Sequence, residues 1–261
     1  EEEMHDEEED EDEEDKKGKK KSKKDAKKED DEEDDEDEEE VTEYFDIEDD
    51  VNALLDGMAS DFGGMMEAQD INRPNGKIYR VYPDGRIPED NPFAADKNAI
   101  PGIWSYGHRN PQGLAIDPRD HALYATEHGP RGGDEFNIIR KGANYGWPVI
   151  SYGMNYNGTP LTGITQKDGM EQPLVQWTPS IAACGLACYT GDKFPNWKYD
   201  FFAGGLRGEL HRIRIQNGKP IADEILLSGL GRVRDVRSGP DGFLYIILNQ
   251  PDRIVRLVPA E

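Results

Sequence analysis

The feature that most restricts how this chain can fold is a short unit that returns along it: an apolar strand, a turn rich in Pro, Asp and Gly, and a second strand. It is legible in GKIYRVYPDG (residues 76–85), GLAIDPRDHALYATEHG (113–129), GELHRIRIQNGKP (208–220) and VRSGPDGFLYIILNQPDRIVRLVP (236–259). In the first, Ile78, Arg80 and Tyr82 share a face. In the third, Leu210, Arg212 and Arg214 alternate with His211, Ile213 and Ile215 ahead of an Asn-Gly turn. A lone hairpin cannot bury its apolar faces, so a repeated one is stable only when its copies stack against one another. The pattern therefore predicts an all-β fold built by radial repetition, a β-propeller. From residue 67 to the end there is room for about four blades of about 40 to 50 residues each.

The first quarter of the chain is of another kind. Residues 1–50 hold 31 of the 55 acidic side chains and nine of the 31 basic ones, so they carry a net charge of −22 and leave −2 for all that follows. Acidic runs flank a lysine block at 16–28, with almost nothing apolar to offset the entropy of ordering, and this tail is expected to be disordered. Its acidity says little about the partners of the folded part; a purely solvating role competes with binding to basic proteins or cations. Residues 51–66 are expected to form a linker, or a short helix in VNALLDGM that Gly57 stops. No basic face points to nucleic acid, and no apolar run is long enough to span a bilayer. The sequence opens without an export signal or Met, as a fragment or processed product would.

Chemistry concentrates in three stretches. YGHRNPQGL (106–114) sets His108, Arg109 and Asn110 between Gly107 and Gly113, with Pro111 stiffening the turn; it reads as a binding loop or as a plain surface turn. EHGPRGGDEFNIIRKGANYGWP (127–148) puts Gly129, Gly132 and Gly133 beside Asp134 and Glu135. Glycine-permitted convergence of carbonyl oxygens next to carboxylates suits Ca²⁺, although an acid-capped glycine turn fits the same residues. In GLGRVRDV (229–236), Arg232 and Arg234 sit two apart, so a strand would point both at one ligand, or at Asp223 and Glu224 on an exposed face. Arg109, Asn110, Arg232 and Arg234 together describe a site for an anionic ligand. Cys184 and Cys188 would lie about 13 Å apart on a strand, too far for a disulfide, and are expected to be buried thiols.

GHRNPQGLAIDP, EHGPRGGDEFNIIRKGANYGWPVISYG, QWTPSIA and GRVRDV, in this order, resemble the soluble pyrroloquinoline quinone (PQQ)-dependent sugar dehydrogenases, the glucose/sorbosone dehydrogenase family. AQDINRPNGKIYRVYPDGRIPEDNPF (68–93) is similar to the family segment that precedes the first of these motifs. The resemblance implies a six-bladed propeller of which residues 67–261 make up an incomplete part. It implies PQQ and calcium as cofactors, with an aldose as substrate and a separate electron acceptor. Arg109, Asn110, Arg232 and Arg234 match positions that contact PQQ, and Arg207 stands where the family has a lysine, which changes reach and fork geometry. Gly129 and Pro130 match the pair whose main-chain oxygens hold the cofactor's Ca²⁺, with Asp134 in support. Glu135 and the Tyr145 carbonyl match a structural Ca²⁺ site, and Trp177 an aromatic of the sugar pocket.

The implied reaction is oxidation of an aldose at its anomeric carbon to a lactone, in a periplasmic or secreted protein. One departure stands out. The family's catalytic histidine belongs upstream of residue 68, where this sequence has the acidic tail and His5 in a charge run. About two blades and the general base are therefore expected to be missing, leaving either a dehydrogenase in incomplete form or a catalytically dead remnant that binds cations or a partner. His108 and His128 match positions that exist alongside the missing base, and His121 and His211 read as ordinary turn and strand residues.

Overall fold

The computed structural model describes residues 62–260; the expected tail and the VNALLDGM helix lie outside these. A one-turn helix, α1 (Phe62–Met65), runs into a 3-10 turn at Met66–Gln69, a second 3-10 turn spans Pro195–Trp197, and the other elements are β-strands. β1 (Lys77–Tyr79) pairs with β2 (Ile103–Tyr106). A four-stranded meander follows from β3 (Pro111–Ile116), β4 (Leu123–Glu127), β5 (Asp134–Ile139) and β6 (Val175–Trp177). A second comprises β7 (Ala183–Cys188), β8 (Phe201–Gly205), β9 (Glu209–Gln216) and β10 (Lys219–Ser228), and the last sheet comprises β11 (Arg232–Ser238), β12 (Leu244–Asn249) and β13 (Arg253–Leu257). Within each sheet sequence neighbours pair antiparallel, as in propeller blades.

The apolar cores lie between the sheets, which is why repetition was needed. Tyr124 and Phe136 of one blade pack with Leu186, Phe201 and Ile213 of the next, and Phe202 and Leu210 with Val233, Leu244 and Ile246 beyond. Each such side chain, fully buried, contributes about 1.5–3 kcal/mol. First strands meet closely: a Cβ on Gly113 would stand 2.6 Å from the Leu186 amide, and one on Gly185 2.6 Å from the Asp235 Cα, so β3, β7 and β11 approach backbone to backbone only through these glycines.

Four sheets agree with the expected four blades, and the Asn-Gly turn forms, with Asn217 at φ 50° and Gly218 at φ 70°. Three details differ. The strand at 76–85 stops at Tyr79, where the pairing with β2 slips; Arg80 turns to Asp90 at 2.9 Å, while Val81 and Tyr82 are exposed. The last segment yields three strands rather than two. β9 buries Leu210, His211, Arg212 and Ile213 alike, since both its faces meet neighbours. Arg212 is tolerated there because Asp200 and Glu224 accept from it at 2.7 and 2.6 Å.

Candidate functional site

The 106–110 loop leaves β2 and is held by one carboxylate from β4. Glu127 Oε2 accepts the Arg109 amide at 2.9 Å, and Oε1 lies 3.2 Å from His108 Nδ1 and 3.0 Å from Asn137 Nδ2. A carboxylate can only accept, so Nδ1 carries the imidazole proton and Nε2 accepts from the Ser105 hydroxyl at 2.8 Å. His108 is fully buried and stacks on Tyr145 at 4.3 Å. Burial opposes charge on Glu127, but His108 and the amides of Arg109 and Asn110 outweigh it and hold the carboxyl below its usual range. His108 thus helps hold the loop in place.

The loop delivers Arg109 against the end of β4. Its Nη1 donates to the His128 carbonyl at 3.2 Å, its guanidinium lies over Trp147 at 5.2 Å, and its Nε is buried without a partner. The His128 amide donates to the Asn110 carbonyl at 3.0 Å, closing loop and strand end together. His128 Nε2 is likewise buried and unpartnered; burial, partly offset by Asp134 and reinforced by Arg109 and Arg234, lowers its basicity. Two buried polar atoms left unpaired are costly unless a ligand completes them.

The Gly129–Pro130 turn is fixed by Asp134, which is fully buried. Asp134 accepts from the Gly129 amide at 2.9 Å, the Ser180 hydroxyl at 2.8 Å and the Ala183 amide at 2.8 Å, tying the turn to the start of the next blade. Asp134 thus holds the Gly129–Pro130 turn in place. Beside it is a small cavity of about 10 Å³, bordered by Arg109, Glu127, His128, Gly129, Glu135 and Tyr145, room for one small occupant. Glu127 and Glu135 pair across β4 and β5, and burial together with the Glu127 charge pushes Glu135 up to about 8. Asn137 donates to Glu135 at 3.0 Å, but its Oδ1 is buried with no partner. Adjacent carboxylates, an unused amide oxygen and a cavity of this size suit a hard cation. Among the described residues no three His, Cys, Asp or Glu side chains converge, so a cation here or at Gly129 depends largely on carbonyl and amide oxygens.

In front of the turn lies an open groove of about 700 Å³, walled by His128, Pro130, Met154, Tyr156, Pro179 and Arg207. Arg207 sits between β8 and β9, exposed, with Nη1 donating to the Ser180 carbonyl at 3.0 Å. Arg234 stands close enough to His128 and Cys184 to influence both, while β11 changes register between Val233 and Asp235, leaving Arg234 in the irregularity without a cross-strand partner. Arg232 pairs with Asn249 and is half-buried. Neither turns to Asp223 or Glu224, whose partners are His211 and Arg212. Arg109, Asn110, Gly129, Pro130, Arg207 and Arg234 are therefore brought around His128.

Trp177 is placed elsewhere. It is buried in the core between blades, its indole donating to Asp223 at 2.8 Å, and it does not border the groove. Both cysteines are buried free thiols. Glu127, Asn137 and Ser180 carry much of the site's geometry and were not singled out from the sequence. The one available signal was the pair of glutamates in EHGPRGGDE, which a hairpin brings opposite each other.

The glucose/sorbosone dehydrogenase family pattern matches residues 44–256. Aldose sugar dehydrogenase YliI of Escherichia coli strain K12 is 44% identical over 187 residues, which cover 70% of this chain and 50% of that protein. A glucose dehydrogenase crystal structure superposes with a TM-score of 0.71 at 43% identity, covering 75% of this chain and 57% of that one. The PQQ-bound aldose sugar dehydrogenase of Streptomyces coelicolor does so with a TM-score of 0.59 at 32% identity, covering 77% and 56%. The chain spans about half the length of the curated relatives it matches. A match that runs through all four sheets makes this chain a member of the glucose/sorbosone dehydrogenase family.

Proposed function

We propose that these residues form the cofactor-binding part of a PQQ- and calcium-dependent dehydrogenase that oxidises aldoses to lactones. The observation that carries the reading is the pair of buried, unpartnered atoms Arg109 Nε and His128 Nε2, on residues that both line the small cavity at the Gly129 turn, with His128 also bordering the groove that Arg207 walls. Bound PQQ would supply a hydride acceptor polarised by Ca²⁺. Arg109, Arg234 and Arg207 would hold the cofactor's carboxylates with charge-assisted hydrogen bonds, and Arg232 and Asn110 would complete the clamp. His128, kept neutral, would donate or accept at Nε2 without adding a further positive charge. Carbonyls of Gly129 and Pro130, steadied by Asp134, would face one cation, and Glu135 with the Tyr145 carbonyl a second in the small cavity. His108 and His211 have their rings tied to carboxylates at 3.2 and 2.8 Å and hold position rather than abstract protons. A periplasmic or secreted setting goes with this reading.

A second reading, a cation-binding module without turnover, draws on the Glu127–Glu135 cavity, whose two carboxylates do not border the groove although cavity and groove share His128, Gly129 and Pro130. One titration separates them. PQQ is added to the chain with and without Ca²⁺, its absorbance followed, and dye reduction measured with several aldoses. Cation-dependent PQQ uptake lost in Arg109→Ala, with dye reduction, supports the enzyme; Ca²⁺ uptake without PQQ uptake supports the module.

A further inference from the structure

The groove has a wall that cofactor binding leaves unexplained. Residues 154–160 form a tight finger, anchored where Arg131 and Met154 exchange backbone hydrogen bonds at 3.0 and 3.1 Å. Its bend is fixed from within: the Asn155 amide donates to the Thr159 carbonyl at 2.9 Å, and Asn157 Oδ1 accepts from the Thr159 amide at 3.0 Å. The root presses on the cation turn itself, since a Cβ on Gly153 would meet the Pro130 ring at 2.7 Å and Gly132 O at 2.3 Å. A rigid finger rooted on Pro130 presents Tyr156, two residues out from the root, 74% exposed, to the groove.

An aromatic ring that exposed, held on a rigid support, gives up apolar burial to no benefit of the fold. It gains when a ligand with an apolar face covers it. The groove offers what a pyranose needs besides that ring: apolar walls from Met154 and Pro179, and the polar heads of Arg207, Thr178 and Ser180. Tyr156 stands two residues beyond the anchor at Met154 rather than at the Gly129–Pro130 turn, which leaves it to a part of the substrate other than the ring that reacts.

We propose that Tyr156 is a specificity-determining residue, the platform on which the second ring of an aldose oligosaccharide stacks. This rests on the dehydrogenase reading for the placement of the reacting end. The test is calorimetric binding of cellobiose and of glucose to the full chain and to Tyr156→Ala and Tyr156→Phe, each with and without PQQ and Ca²⁺. Cellobiose affinity is expected to fall about fivefold in Tyr156→Ala and to be retained in Tyr156→Phe, with glucose affinity unchanged. Equal cellobiose binding by wild type and Tyr156→Ala, equal loss for both sugars, or no cellobiose binding by any form would overturn the proposal. Failure of the cofactor reading is visible separately, as absent PQQ uptake with the Tyr156 effect intact in the cofactor-free arm.

Discussion

Glu127 Oε2 accepts the backbone amide of Arg109 at 2.9 Å, so a side chain on β4 sets the backbone of the residue best placed to grip an anion. The same carboxylate orients His108 and Asn137, and through them Ser105. One buried charge therefore couples the loop, the strand end and the cavity beside the Gly129 turn.

Glu127→Gln keeps the shape but removes a charged acceptor and sets an amide donor against N–H groups. Urea denaturation is expected to show a loss of about 2 kcal/mol. PQQ affinity, followed by absorbance, is expected to fall more steeply than in any substitution at exposed Tyr82, because Arg109 loses its anchor.

Asp134→Asn leaves one of the Gly129, Ser180 and Ala183 donors facing an amide nitrogen. A loss of about 2–3 kcal/mol is expected in the same measurement. Weaker Ca²⁺ binding by calorimetry should accompany it. Unchanged Ca²⁺ affinity in a folded variant would argue against a cation at the Gly129–Pro130 carbonyls.

Gly129→Ala would bring a methyl within 2.4 Å of Gly132 O and the Gly133 carbonyl, all backbone, so the turn itself must move. A cost of about 3 kcal/mol is expected. At Gly158 an added Cβ meets only Arg131 Nη1 at 3.5 Å, so the cost of Gly158→Ala, about 1 kcal/mol, comes from its φ of +86° alone. Thermal unfolding of the two variants distinguishes a packed turn from an open one.

Trp177→Phe removes the hydrogen bond to Asp223 and opens space between blades. Stability should drop by about 1–2 kcal/mol with sugar binding unchanged. A selective loss of sugar binding would return Trp177 to the pocket.

Burial pushes the Cys188 thiol up to about 12 and raises Cys184 as well. Iodoacetamide at pH 8 should label neither in the native protein and both in urea, as read by intact mass. Unfolded thiols ionise near pH 8.5, so between there and about 12 the unfolded chain binds fewer protons than the folded one. Stability contributed by these thiols is therefore complete below pH 8.5 and is lost as pH rises, visible as a falling urea midpoint.

The loops of the candidate site were legible in the sequence where chemistry is local. Arg109, Asn110, Gly129 and Pro130 lie in two loops whose glycines and prolines fix the turns whatever surrounds them, and the structure brings both loops to His128. Arg207 and Arg234 join them from later blades. Trp177 could not be placed from its neighbours. Its surroundings are supplied by Asp223 and His211 of the following blade, and a strand pattern does not say which of two buried faces looks toward a groove.

By itself the sequence determined the repeating hairpins, their turns and the family, because alternation of side chains and the φ demands of Gly, Pro and Asn act over a few residues. Only the tertiary structure decided that Glu127 anchors Arg109, that Asp134 ties the Gly129 turn to Ser180, and that Tyr156 stands at the groove. Those contacts join residues 5 to 46 positions apart or lie between blades. Their energies depend on burial and on unpaired polar atoms, which exist only once the sheets have packed.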